Sequence, residues 1–370
     1  MPRRGLTLLE LLVVVAIVGI LAGLALVAVN RSREASRQAT CRNHFRQVGV
    51  ALSAYVSAAG RFPIGVVWSP PGEPLGEGLL PIGVLDRVAR FGTPEHDTIY
   101  QNWLVALLPH LGEEPLWRQF DSRWPSSDAR NAGRAQFLPV LACPSDPYCR
   151  PELPYARGSL AGRHDLLYAR GNVAINVGPD ATCLEGVNDS PESPCLNGYQ
   201  IGGGDLLSTN DRVWGRGIAG VNVSFAPRDV SDGLSHTVVV DEIRAGIDRL
   251  DPRGAWALGQ VGASAVAGFG MFGPGQRPNS TDRRVEKFIG CTLLTETLGP
   301  RLKQAGMACD EDPEDTEEYN GQACPRSLHP GGVHVLLGDG TVHFVADRID
   351  PEVWHALHTR AGGEMMPAWQ

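Results

Sequence analysis

Apolar side chains run without a charge from residue 11 to residue 29, a stretch of 19 positions. At about 1.5 Å per residue, such a helix crosses most of a bilayer core. Arg3 and Arg4 precede it, Arg31 and Arg33 follow it, and Glu10 stands at its head. A carboxylate there costs a few kcal/mol in lipid unless it finds a partner. From residue 30 the pattern becomes amphipathic: Cys41, Phe45, Val48, Leu52 and Tyr55 recur at alternating spacings of four and three. The spacing predicts one helix from residue 6 to residue 58, roughly 80 Å long, ended by Gly60 and Pro63.

The rest of the chain alternates short apolar patches with turn chemistry. Residues 61–100 are rich in Pro and Gly and read as a loop with a short strand near 65–68. Residues 102–109 read as a short buried helix with Asn102 at its cap. Residues 113–120 and 127–137 read as further short helices, and 138–143 as a strand. Residues 172–177 alternate like a half-buried strand, 178–215 like an irregular polar insertion, and 237–241 like a strand. The strand-like stretches 333–337 and 341–345 flank Gly338-Asp339-Gly340, a hairpin turn signal expected to place Asp339 and Gly340 at positive φ. Asp350 and Pro351 then open a short helix over 352–359.

The chain has 370 residues, 44 Gly and 28 Pro, which favours a loop-rich body over a helix bundle. A net charge of −8 without a basic stripe argues against a nucleic-acid surface. The eight cysteines, in a chain that exports its body, favour disulfides. Cys183 with Cys195 is the best local pair; Cys143 with Cys149 and Cys309 with Cys324 are the next, and Cys41 is left over. No C-x-x-C spacing occurs, so zinc is not expected.

Several strings invite a chemical reading. Gly268 to Gly273 spells G-x-G-x-x-G, but Pro274 follows and no helix opens there to receive a phosphate. The acidic run 310–318 lacks the spacing of a calcium loop and reads as solvated. His334 and His343 on facing strands are a conceivable metal pair; hairpin geometry, with His329 bonded to backbone at its base, is the simpler account. There is no G-x-S-x-G, H-E-x-x-H or P-loop string, so no cofactor and no catalytic residue are expected.

Two sets of residues carry a family resemblance. Gly5, Leu6 and Glu10 resemble the class III leader of type IV prepilins and type II secretion pseudopilins. The resemblance implies cleavage after Gly5 by prepilin peptidase and methylation at Leu6, where the family usually has Phe. His329, nine residues, then Asp339-Gly340 resembles the H-x9-DG signature of large pseudopilin-like proteins with that leader. Residues 41–55, 102–111, 141–146 and 232–237 also look like that family; its usual asparagine is replaced here by His334.

The expected organisation is a leader over 1–5, a transmembrane and assembly helix over 6–29, its amphipathic continuation over 30–60, and an extracytoplasmic body over 61–370 with a C-terminal hairpin over 333–345. The expected fold is α+β and pilin-like: a long helix on a mostly antiparallel, loop-rich β domain. The expected function is a non-catalytic pseudopilin-like subunit of the inner membrane, assembling with other pseudopilin subunits. Glu10 would pair with the Leu6 ammonium of a neighbour. The alternative is a membrane-tethered solute- or carbohydrate-binding module using Trp214 or Trp256.

Overall fold

The computed structural model describes residues 8–68, 99–124, 126–157, 166–179, 183–184, 213–214, 216–221, 224–269, 277–282, 286–288, 290–310 and 322–364. Helix α1 spans Leu8–Ala59 and ends where the Gly60 N–H reaches the Val56 carbonyl. From residue 8 to residue 33 every residue is exposed. Cys41, Phe45, Val48, Gly49, Ala51 and Leu52 are buried in the body, and Tyr55 packs edge-on against His110. The amphipathic stripe read from the sequence is therefore the face that docks.

The strands are β1 (Val66–Trp68), β2 (Ile99–Asn102), β3 (Tyr155–Arg157), β4 (Leu166–Tyr168), β5 (Val173–Gly178), β6 (Cys183–Leu184), β7 (Val213–Trp214), β8 (Gly220–Val221), β9 (Val238–Glu242), β10 (Ala265–Ala267), β11 (Gly332–Leu337) and β12 (Val342–Ala346). The central sheet has the order β10-β5-β9-β11-β12 and a second sheet the order β2-β1-β8-β7-β6. Both are mixed: β10 runs parallel to β5, and β1 parallel to β8, while their other pairings are antiparallel. The class is α+β, as expected.

The second half of α1 lies against β11 and β12. Gly49 permits the close approach, because a Cβ there would sit 2.8 Å from Leu336 Cδ1 and 3.4 Å from the Gly340 carbonyl. On the other face, Trp354 and Leu357 of the helix Pro351–Leu357 pack against Val333, Val335, Leu337 and Val345. Asp350 caps that helix, accepting from the Glu352 and Val353 N–H groups. β5 is buried at all six positions rather than half-buried: Val173, Ile175 and Val177 join the main core, and Ala174 packs with Ile243 and Val266.

Three local readings change. Residues 138–143 form no strand: Pro139 opens a 3-10 turn, Pro139–Leu141, instead. The short helices shrink to Trp103–Leu107, Glu114–Trp117 and a 3-10 segment Ala129–Ala135. In the hairpin only Gly340 takes positive φ, at 87°. The Gly340 N–H bonds the Leu337 carbonyl and the Leu337 N–H bonds the Thr341 carbonyl, a turn followed by a glycine bulge. Asp339 stabilises it by accepting from the Thr341 N–H and Oγ1.

The disulfide reading changes too. Cys309 pairs with Cys291, Cα to Cα 5.9 Å, rather than with Cys324. The helix Cys291–Gln304 is followed by a reversal, with the Met307 N–H on the Leu302 carbonyl, that returns the chain to the helix start. Cys324, Cys143 and Cys149 carry free, buried thiols. Cys149 N–H closes a turn onto Asp146, while Cys143 Sγ faces His329, so the two do not pair. Cys195 lies outside the described residues.

A buried ionic chain crosses the body: Arg253 pairs with Asp251 at 2.7 Å and Glu286 at 3.3 Å, and Arg326 with Glu286 at 3.0 Å. Burial works against the Asp251 charge, but Arg253 and then Arg170 outweigh it and hold its pKa below the usual carboxylate range.

Two outcomes follow for urea unfolding of the full-length protein in mild detergent. Phe45→Ala lowers stability by about 3–5 kcal/mol, whereas Val50→Ala, on the exposed face, stays within about 0.5 kcal/mol. The depressed Asp251 pKa means its contribution is present above the ordinary carboxylate pKa and is lost as pH falls through the folded-state value. Asp251→Asn therefore flattens the acid side of the stability–pH profile and, by leaving buried Arg253 with Glu286 as its remaining carboxylate, lowers stability near neutrality by about 3 kcal/mol.

Candidate functional site

Where α1 meets the body, the buried surface is polar. Glu34 and Cys41 lie seven residues apart on the docking face. Cys143 follows the Pro139–Leu141 turn, and its N–H is fixed by Asn172 Oδ1 at 2.7 Å. Asn172 Nδ2 also bonds Asp146 Oδ2 and the Ile243 carbonyl, tying this turn to the end of β9. Glu242 ends β9, His334 lies on β11, and His329 precedes that strand with its N–H on Ser327 Oγ.

His329 is the hub. Its Nδ1 lies 2.8 Å from Glu34 Oε1, and its Nε2 lies 3.2 Å from Cys143 Sγ and 3.4 Å from Glu242 Oε1. Cys41 Sγ donates to Glu242 Oε1 at 3.3 Å. Glu242 Oε2 accepts from the His334 N–H at 2.9 Å and lies 3.1 Å from His334 Nδ1. The two imidazoles stand edge to face, 5.0 Å between centroids. Phe45 packs on His334, and Phe344 covers both rings from the solvent side. Ser145 Oγ donates to the same Glu34 oxygen that meets His329.

The electrostatics follow from these contacts. Burial opposes charge on His329, but Cys143, Glu242 and Glu34 outweigh it and raise its pKa to about 9. Burial likewise opposes charge on Glu242, yet His334 and His329 hold its pKa below the usual range. Cys41 is pushed far up by its bond with Cys143, by burial and by Glu242. Cys143 is lowered, because the Cys41 S–H favours its thiolate and, against burial, His329 adds to that. Cys41, Glu242, His329 and His334 are all buried and bring one donor atom each within 4.8 Å of one another. That is a nitrogen, sulfur and oxygen donor set suited to a borderline cation.

The sequence had singled out His329, His334 and Cys41, but not as a group. His329 does not serve as a backbone prop for the hairpin; its side chain turns to α1 and β9. His334 faces Phe344 across the hairpin while His343 faces Val335, so the two hairpin histidines lie on opposite faces. Glu242, Glu34 and Cys143 were missed as ligands or partners, because contacts spanning 87 residues (Glu242 to His329) to 295 residues (Glu34 to His329) leave no local spacing. Trp256, offered as a ligand surface, is fully buried with Nε1 on the Gln136 carbonyl. A groove between α1 and the hairpin, lined by Ser53, Leu336 and Gly340, measures about 160 Å³, below the roughly 300 Å³ of small-molecule pockets.

Of the processing and assembly residues, Glu10 lies on the exposed first turns of α1. Gly5 and Leu6 lie outside the described residues, as do residues 311–321 of the acidic loop and the end of the glycine string.

No curated protein and no solved structure matches the chain. Residues 1–26 match the prokaryotic N-terminal methylation motif. With the exposed apolar half of α1, this makes the protein a type IV pilin-like subunit, processed by prepilin peptidase and anchored at a membrane with its globular body outside. Residues 30–352 match the family described as protein of unknown function (DUF1559), so the helix beyond the anchor and nearly all of the body that it docks on belong to that family.

Proposed function

We propose that the chain is a structural, non-catalytic, pseudopilin-like subunit of the inner membrane. A single span over the first half of α1 holds it there, and the body projects outside. It assembles with other pseudopilin subunits into a secretion pseudopilus or a related surface structure. The observation that carries this is the division of α1. One continuous helix presents an exposed surface, apolar over residues 11–29, and a docked face from Cys41 onward.

An exposed apolar helix is stable in lipid, and equally stable packed against copies of itself. Moving from lipid to a helical bundle therefore exchanges one apolar environment for another. Glu10 supplies direction: its carboxylate is costly in hydrocarbon, and the new Leu6 ammonium of a neighbouring subunit would neutralise it there. The pairing would fix the stagger between adjacent helices. Closure of the His329 cluster beneath α1 suits a group that holds elements together rather than one that admits a substrate.

The full-length Glu10→Ala variant tests this in native membranes. The expected outcome is a cleaved, membrane-inserted chain whose body is folded but whose recovery in sheared filaments or cross-linked assemblies falls at least about tenfold. Wild-type recovery of that variant in assemblies would contradict the role given to Glu10.

A further inference from the structure

We propose that Cys41, Glu242, His329 and His334 form a four-coordinate zinc site that fastens α1 to the body. The four residues come from α1, the end of β9, the segment before β11, and β11 itself. Their donor atoms lie within 4.8 Å of one another and all four residues are buried. A tetrahedral zinc with bonds of about 2.0–2.3 Å needs ligand atoms roughly 3.3–3.8 Å apart. Cys41 Sγ and His329 Nε2 already lie 3.3 and 3.4 Å from Glu242 Oε1, and His334 Nδ1 lies 3.1 Å from the other oxygen, Oε2. Small rotations of the side chains close the rest.

The chemistry selects the ion. Calcium and magnesium take oxygen donors, so a thiol and two imidazoles argue against them. One thiolate and one carboxylate balance the two charges of zinc, which leaves a neutral unit in a buried setting. The surroundings have the form of a zinc second shell. Glu34 holds His329 Nδ1 at 2.8 Å and so leaves Nε2 directed at the cluster, a carboxylate–histidine–metal relay. Arg37 and Ser145 in turn hold Glu34. Phe45 and Phe344 shield the imidazoles. Cys143 sits beside the set, 3.2 Å from His329 Nε2 and within hydrogen-bond reach of Cys41. Its competing role is a disulfide with Cys41, which would remove the thiolate and exclude the metal.

The site reaches beyond the assembly role and does not depend on it. A zinc bound here clamps the helix to the sheet by bonds to both, so the rotation of the body about α1 is fixed at one point.

The test uses the full chain purified in mild detergent under reducing conditions. Zinc is measured by elemental mass spectrometry, and affinity by competition with a chromophoric chelator. Cobalt(II) replaces zinc to read the thiolate charge-transfer band. We expect about one zinc per chain and a thiolate band with cobalt. Cys41→Ser and His334→Gln should weaken zinc binding by more than about 100-fold and Glu34→Gln by about 10–100-fold, while Cys149→Ser, a buried thiol elsewhere, changes nothing. If the ligand variants fail to fold, the wild-type stoichiometry and cobalt spectrum decide. Wild-type protein with reduced Cys41 that holds no zinc, or binds cobalt without a thiolate band, overturns the proposal. So does a Cys41–Cys143 disulfide found by peptide mapping of protein from native membranes.

Discussion

One helix must satisfy two solvents. Over residues 11–29, α1 offers apolar side chains on every face, which is tolerable only in lipid or against other such helices. From Cys41 it offers an apolar stripe on one face and arginines on the others, which is tolerable only at the edge of a protein core. Because no proline interrupts it between these regions, the orientation of the body is transmitted to the anchor through a rigid rod. Residues 30–40, polar and mostly exposed, separate the two environments. Everything else in the body is arranged to receive the second half: the bare Gly49 backbone against Leu336, the 3-10 turns that flank it, and the polar pocket under Cys41.

Beneath an otherwise apolar helix, a buried cluster of ionisable groups is an expensive choice for adhesion alone, since a well-packed hydrocarbon patch holds as well or better. Directional groups do something that hydrocarbon does not. Glu34 reaches His329, Cys41 reaches Glu242, and His44 reaches the Ala142 carbonyl at 2.8 Å. These contacts specify both the rotation and the axial register of α1, which apolar contacts alone would leave free to slip by a turn. For a rod that carries the body's orientation to the membrane, register is a property of consequence.

What could be read in the sequence was local. The length of α1, its docking stripe, the Asn102 and Asp350 caps and the C-terminal hairpin all depend on residues within a few positions of one another. What escaped was contact between distant segments. The Cys291–Cys309 bridge depends on a chain reversal after a helix that no spacing announces. The His329 cluster joins residues 41, 242, 329 and 334, so ligand-spacing rules built on short motifs pass over it. Pro139 turned an apolar run from strand to 3-10 turn, and β5 looked half-buried because the side chains that pack on Ala174, those of Ile243 and Val266, come from distant segments.

Assembly through α1 requires that its apolar half be retained in the mature protein, with a new N-terminus close to Glu10. Intact-mass and N-terminal peptide analysis of the protein from its native membrane tests that most directly. The expected chain begins at Leu6, with or without an added methyl group. A chain beginning at Met1 or Pro2 would make the segment an unprocessed anchor, and one beginning beyond about residue 22 would make it a conventional signal peptide; either result contradicts assembly through this helix.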